Sequence, residues 1–270
     1  MSILTPGFSE RVFEFSFNAE YADRNRAVLA GAPSIPTQNE EKWLGYDVLF
    51  EVHRRGGAIH ALALQHKVPR YVDRLGPKNG HFWGAIGGPY YAFRLDVDQY
   101  NLIEAVASAN LPGVEFCYSL PIFVSRHEMN SHYLAKSVEA NSVWIDVADA
   151  GQLDPAEPHS IVYSPDGARA WVFSEKGHPL KTSTHEVRRA RWNERRNAPL
   201  VNVPALYQTA LSAVQQYWPK RSEGGRRAVT LDGDFSLPQL APTEELPTYD
   251  GTARLLAQYF GASLLLEVRT

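Results

Sequence analysis

Residues 46–68 read YDVLFEVH (Tyr46–His53), RRGG (Arg54–Gly57) and AIHALALQHKV (Ala58–Val68), two apolar runs on either side of a glycine pair. This is the pattern of a β-hairpin, and its register decides where three polar side chains go. Side chains alternate faces along a strand, so a slip of one residue exchanges the faces. If Gly56 and Gly57 formed a two-residue turn, Asp47 would oppose His66. A three-residue loop of Arg55, Gly56 and Gly57 instead sets Asp47 across from Gln65, with Lys67 on the same face. The apolar pattern favours the longer loop. It gathers Val48, Phe50 and Val52 with Leu62 and Leu64 on a core side, and leaves Asp47, Glu51 and His53 with Ala61, Ala63, Gln65 and Lys67 on the other. Alanines beside polar groups imply room for a ligand on that second face. His66, between the polar pair, points by alternation to the opposite face and reads as a structural histidine.

A carboxylate on one strand followed by Gln65-His66-Lys67 on the next resembles the PD-(D/E)xK, or restriction-endonuclease-like, nuclease superfamily, in the QxK variant of Mrr-like restriction enzymes. The resemblance implies that Asp47, Gln65 and the backbone carbonyl of His66 ligate Mg²⁺, with Mn²⁺ able to substitute. It makes Lys67 the group that orients or deprotonates the attacking water and offsets charge on the phosphate. Such a donor set suits a hard cation, which takes oxygen ligands and few carboxylates. The family also carries a glutamate on a helix before the aspartate strand. Pro36–Trp43 (PTQNEEKW) offers Glu41 for that role and Glu40 as the alternative, although Glu40 could equally close a capping box with Thr37. Gln38 is a weaker candidate for the same cleft.

Further along, Asp96–Asn110 (DVDQYNLIEAVASAN) has apolar residues at Val97, Leu102, Ile103 and Val106 and is stopped by Leu111-Pro112-Gly113, which predicts a helix. Val114–Phe123 (VEFCYSLPIF) reads as the next strand. Helix, hairpin strands, helix and strand make the αβββαβ order that the resemblance implies over roughly Val12 to Val124. Gln99 and Tyr100, near the start of the helix, are auxiliary candidates, though they depart from the QxxxY spacing of some nuclease branches.

The expected fold class is therefore α/β, a restriction-endonuclease-like core with a mixed central sheet flanked by helices, followed by an α+β C-terminal extension. Residues 1–180 are assigned to the core with additional strands, and residues 181–270 to an extension packed on it. Within the core, strands are predicted at Ser142–Ala148, Ser160–Ser164 and Arg169–Phe173, the last two joined by Ser164-Pro165-Asp166-Gly167. Gly84–Pro89 (GAIGGP) reads as a loop and lacks the Lys-Ser/Thr ending of a P-loop. The extension holds two helical stretches, Ala205–Trp218 and Ala253–Phe260, and a terminal strand at Ala262–Val268. Its acidic stretch, Leu231–Asp250, could cover a partner or shield the basic clusters at Lys181–Arg196 and at Lys220-Arg221 with Arg226-Arg227.

At 270 residues, 44% hydrophobic and 21% charged, the chain can bury a substantial core. Its single cysteine, Cys117, excludes an intrachain disulfide and lies in an apolar, strand-like context. No basic region followed by an apolar core opens the chain and no run of about eighteen apolar residues occurs, so a soluble, cytoplasmic protein with no membrane partner is expected. His127 and His132 are five apart and lack the four-residue spacing of a zinc-protease helix.

The net charge of −3 is unusual for a nucleic-acid binder, but the charge is uneven. Lys181–Arg196 (KTSTHEVRRARWNERR) concentrates Arg188, Arg189, Arg191, Arg195 and Arg196 around Trp192, a set suited to phosphate contact and base stacking. The interleaved Glu186 and Glu194 also fit a solvated helix face with internal pairs. The expectation is a Mg²⁺-dependent endonuclease acting on DNA, with a companion regulatory or sensor protein, or a second copy of the chain, as partner. By analogy with the family it would act in bacterial restriction or antiviral defence. The alternatives are a noncatalytic nucleic-acid-binding or assembly subunit and a nuclease acting on RNA or tRNA.

Overall fold

The structure is a computed structural model that describes residues 3–37, 45–53, 59–108, 114–147, 150–174, 176–183 and 187–188. It is mixed α/β, with two sheets and few helices among the described residues. The element order is β1 (Ile3–Leu4), α1 (Glu10–Asn25), β2 (Val48–His53), β3 (Ile59–His66), β4 (Arg70–Val72), α2 (Gly80–Ile86), β5 (Tyr90–Arg94), α3 (Val97–Ser108), β6 (Val114–Pro121) and α4 (Arg126–Leu134), then β7 (Ser142–Asp146), β8 (Ser160–Tyr163), β9 (Ala170–Phe173), β10 (Gly177–Leu180) and β11 (Thr182–Ser183).

The hairpin β2–β3 has the register that the longer loop requires. Val48 pairs with Leu64 and His53 with Ile59, which carries Asp47 opposite Gln65. β3 then runs parallel to β6, and parallel neighbours need a long crossover. The crossover here sends β4, α2 and β5 into a second sheet before α3 returns the chain to β6. The result is a five-stranded sheet, in the order β11-β7-β6-β3-β2, and a six-stranded antiparallel sheet, in the order β1-β4-β5-β8-β9-β10.

The two faces of the five-stranded sheet are sealed by different elements. On one, Phe13, Phe17 and Tyr21 repeat every fourth residue along α1 and meet Val48, Phe50, Leu62, Leu64 and Trp144. Ser9 caps this helix through Val12 N–H. Burial of each such aromatic stabilises the fold by about 1.5–3 kcal/mol. On the other face, Leu49, Ala61, Ala63, Phe116 and Ile145 pack with Tyr91, Phe93, Ile161 and Tyr163 of the six-stranded sheet and with Tyr100 and Ile103 of α3. Tyr91 and Tyr163 donate hydrogen bonds to the carbonyls of Ile122 and Pro121, both at 2.6 Å, and so tie the sheets together.

Three expectations change here. The central sheet is not flanked by helices on both faces, because β4 and β5 leave the expected αβββαβ run to join a second sheet that, with α3, covers one of them. The space beside Ala61 and Ala63 is filled by protein: both are buried, and their small side chains admit the large aromatics of the opposing sheet. Gly84 to Ile86 belong to a helix and not to a loop, since Gly87 at φ +82° supplies the left-handed residue that ends α2. The strands predicted at Ser142–Ala148, Ser160–Ser164 and Arg169–Phe173 are present, including the β8–β9 hairpin on the Ser164–Gly167 turn, whereas the helices predicted at Ala205–Trp218 and Ala253–Phe260 and the strand at Ala262–Val268 lie outside the described residues. β11, which falls within the predicted extension, pairs with β7 in the core. No helix among the described residues is long and apolar enough to cross a membrane.

Candidate functional site

Asp47 and Gln65 meet at the end of the β2–β3 ladder where β3 leaves the sheet. Gly45, at φ +75°, bends the chain into the strand ahead of Tyr46 and Asp47. Asp47 N–H then donates to Leu64 O at 2.8 Å, which extends the ladder by one residue and fixes the carboxylate. Both carboxylate oxygens are engaged: Gln65 Nε2 donates to Oδ1 at 2.8 Å, and His66 N–H donates to Oδ2 at 2.6 Å. Asp47 is 7% exposed and Gln65 1%.

A third residue continues the chain. Gln99, in the first turn of α3, donates from Nε2 to Gln65 Oε1 at 2.9 Å. Its own N–H is held by Asp96 Oδ1 at 3.1 Å, which anchors the helix start. The relay has a second polarity open to it, because each amide presents an oxygen on one side and an NH₂ on the other. Reversing both amides keeps the Gln99–Gln65 bond and turns Gln65 Oε1 towards Asp47. In that state a carboxylate and an amide oxygen face each other, as a hard cation requires.

Lys67 lies just beyond β3, and the same-face expectation is not met: its amine reaches α1, which covers the face opposite the one where Gln65 meets Gln99 of α3. Lys67 Nζ is 3.2 Å from Glu10 Oε1 in the first turn of α1, and the side chains are 20% and 43% exposed respectively. Glu10 is thus the acid next to the candidate lysine, and sequence reading did not single it out. It stands 57 positions from Lys67, and only the packing of α1 across β3 joins them.

His66 is structural. Its ring is fully buried between Phe13 and Phe17, with Nε2 3.0 Å from Asn18 Oδ1. Burial, aided by the neighbouring Lys67 charge, pushes its pKa down to about 3, so the ring is neutral. Tyr100 is core as well: it is fully buried, and its hydroxyl donates to Val147 O at 3.2 Å. Burial pushes the Cys117 thiol up to about 12, which rules out a reactive thiolate.

The arginine run is corrected at its first member. Arg188 is 5% exposed and unavailable to a phosphate backbone. It donates to Glu115 Oε2 at 2.8 Å, to Asp146 Oδ1 and to Ser183 Oγ at 3.1 Å, and its guanidinium lies 5.2 Å from the centre of the Trp144 ring. Two carboxylates and an aromatic face use up its planar fork. Arg189, Arg191, Arg195 and Arg196 lie outside the described residues, as do Gln38, Glu40 and Glu41. Among the described residues, no three His, Cys, Asp or Glu side chains are grouped so as to hold a metal ion. Comparison with protein-family models, with characterised proteins and with solved structures finds no match.

Proposed function

We propose that the chain is a metal-dependent phosphodiesterase acting on DNA, an endonuclease with a restriction-endonuclease-like core. The observation that carries this reading is the direct contact of Asp47 with Gln65 across an antiparallel pair, with Lys67 following just past the end of the second strand. The hairpin, the helix α3 before β6 and the parallel β3–β6 pair support the core assignment. Asp47 and Gln65 would supply oxygens to Mg²⁺ once the amide relay reverses. The cation would polarise the phosphate, and Lys67 would hold the attacking water and offset the charge that builds on phosphorus oxygens. Glu10, on a helix before the aspartate strand and in contact with Lys67, is a further candidate acid beside Glu41 and Glu40, which lie outside the described residues. Defence against foreign DNA fits this chemistry by analogy alone.

One observation favours a second reading. A carboxylate that is 7% exposed and hydrogen-bonded at both oxygens can serve as a strand-end clamp without chemistry, as expected of a noncatalytic nucleic-acid-binding or assembly subunit. Incubation of the full chain and its Asp47→Ala and Lys67→Ala variants with supercoiled plasmid, linear duplex, single strands and RNA, in Mg²⁺, Mn²⁺ or EDTA, separates the two. Cleavage that needs metal and falls by roughly 10²-fold or more in either variant is expected. Full activity in both variants would remove these residues from the mechanism. Cleavage confined to RNA would change the substrate but keep the site, and no cleavage by any protein under any condition would favour the clamp.

A further inference from the structure

The six-stranded sheet turns its inner face to the core, and its outer face has a chemistry of its own. The strand register assigns to that face Ile3, Arg70, Val72, Tyr90, Ala92, Arg94, Ser160, Val162, Trp171, Phe173, Gly177 and Pro179. No acid stands among them. α2 seals the centre over Val72, Ala92 and Val162, and it too has no acidic residue. Around α2, Phe82, Trp83 and Trp171 stay only partly buried, and Trp171 stacks on Phe173 with ring centres 6.2 Å apart.

Three exposed arginines border these aromatics. Arg70 and Arg94 stand on outer positions of β4 and β5. Arg169 follows the Ser164–Gly167 turn on the same side, with Nη1 3.2 Å from the position a Cβ would take on Gly87 at the end of α2. None of the three forms a salt bridge among the described residues, although the Arg169 charge reaches Asp166 on the neighbouring turn. In a chain of net charge −3, a face whose described strand and helix positions carry cations and aromatics but no acid is a local departure from the whole.

We infer that this outer face binds single-stranded nucleic acid. Phosphates are the anions that arginine forks pair with, and part-exposed indole and phenyl rings stack on bases. A duplex hides the base faces that such rings need, so the strand must be single. The inference is independent of the proposed nuclease site, which lies at the β2–β3 end of the other sheet.

The test uses the full chain in EDTA with fluorescein-labelled oligo(dT) and oligo(U), followed by anisotropy across a salt series. The wild type should bind, and the Arg70→Gln/Arg94→Gln/Arg169→Gln variant should bind at least about tenfold more weakly, with a salt slope shallower by about 2, as three lost phosphate contacts require. The Asp47→Ala/Lys67→Ala variant should bind as the wild type does, so a failed nuclease assignment leaves this result intact. Photo-crosslinking of an iododeoxyuridine-substituted strand should map to peptides that carry Trp83 or Trp171. Undiminished binding by a folded arginine variant, crosslinks confined to residues 189–227, or no binding by the wild type would each overturn the inference.

Discussion

The five-stranded sheet carries two buried polar clusters that share a carboxylate theme and differ in what holds it. Beside β7 and β11, Glu115 and Asp146 close on the guanidinium of Arg188, itself backed by Trp144 and Ser183. At the β2–β3 end, Asp47 is held by an amide and a backbone N–H, and the amide is held in turn by Gln99. A fixed charge with fork geometry can be satisfied in one way only. An amide relay can be satisfied in either of two polarities, so it tolerates a change in what approaches Asp47. The first arrangement locks the sheet edge, and the second can respond to a ligand.

The sharpest way to break this contrast is to remove the guanidinium. Arg188→Ala leaves two carboxylates close together beneath Trp144, and truncation of one side of a buried ion pair costs about 3–5 kcal/mol. Chemical denaturation should show that loss, while the affinity for duplex DNA at a temperature where the variant stays folded should be unchanged. A weaker affinity with unaltered stability would return Arg188 to the nucleic-acid interface.

The next effect tests His66, whose N–H holds Asp47. His66 has a folded pKa of about 3 against 6.5 for the free ring, so the unfolded chain takes up a proton that the folded chain refuses. The stability it contributes is complete above pH 6.5 and is lost as pH falls towards 3. At pH 5 the loss should be about 2 kcal/mol relative to pH 7.5. Denaturation midpoints of the wild type and His66→Gln, compared at the two pH values, check it. Equal pH dependence in both proteins would place the titration elsewhere.

The smallest expected effect isolates the relay. Gln99→Leu removes the donor to Gln65 Oε1 without touching Asp47 or Lys67. Groups that orient a ligand from behind are worth roughly tenfold or more in metal affinity or activity. Mg²⁺ dependence of cleavage, or of Mg²⁺ binding by calorimetry, should therefore shift to about tenfold higher concentration, with Gln99→Glu tighter than Gln99→Leu. No shift in either variant would make Gln99 a packing residue.

Much of this was legible along the chain because it depends on short-range periodicity. The alternation of Val48, Phe50 and Val52 against Leu62 and Leu64 sets the hairpin register, since a one-residue slip would split these side chains between the two faces of the sheet. That register alone aligns Asp47 with Gln65. The inward histidine, the α3 segment and the Ser164–Gly167 turn follow from the same local rules. The alanines misled because a small residue marks close approach by some neighbour without saying which. The arginine run misled because a cationic string looks alike whether it meets phosphates or, at its first member, two acids from strands 42 and 73 positions away.

What the sequence by itself determined is the pairing of β2 with β3, and with it the identity of the carboxylate and amide that touch. Only the tertiary structure decided that Lys67 answers to Glu10, that Gln65 is steadied by Gln99, that Arg188 is locked inside, and that an arginine and aromatic face without acids lies on the far side of the second sheet. Those contacts join residues far apart in the chain, on helices and sheets whose mutual placement is set by how apolar faces pack, and no period within a single element encodes it.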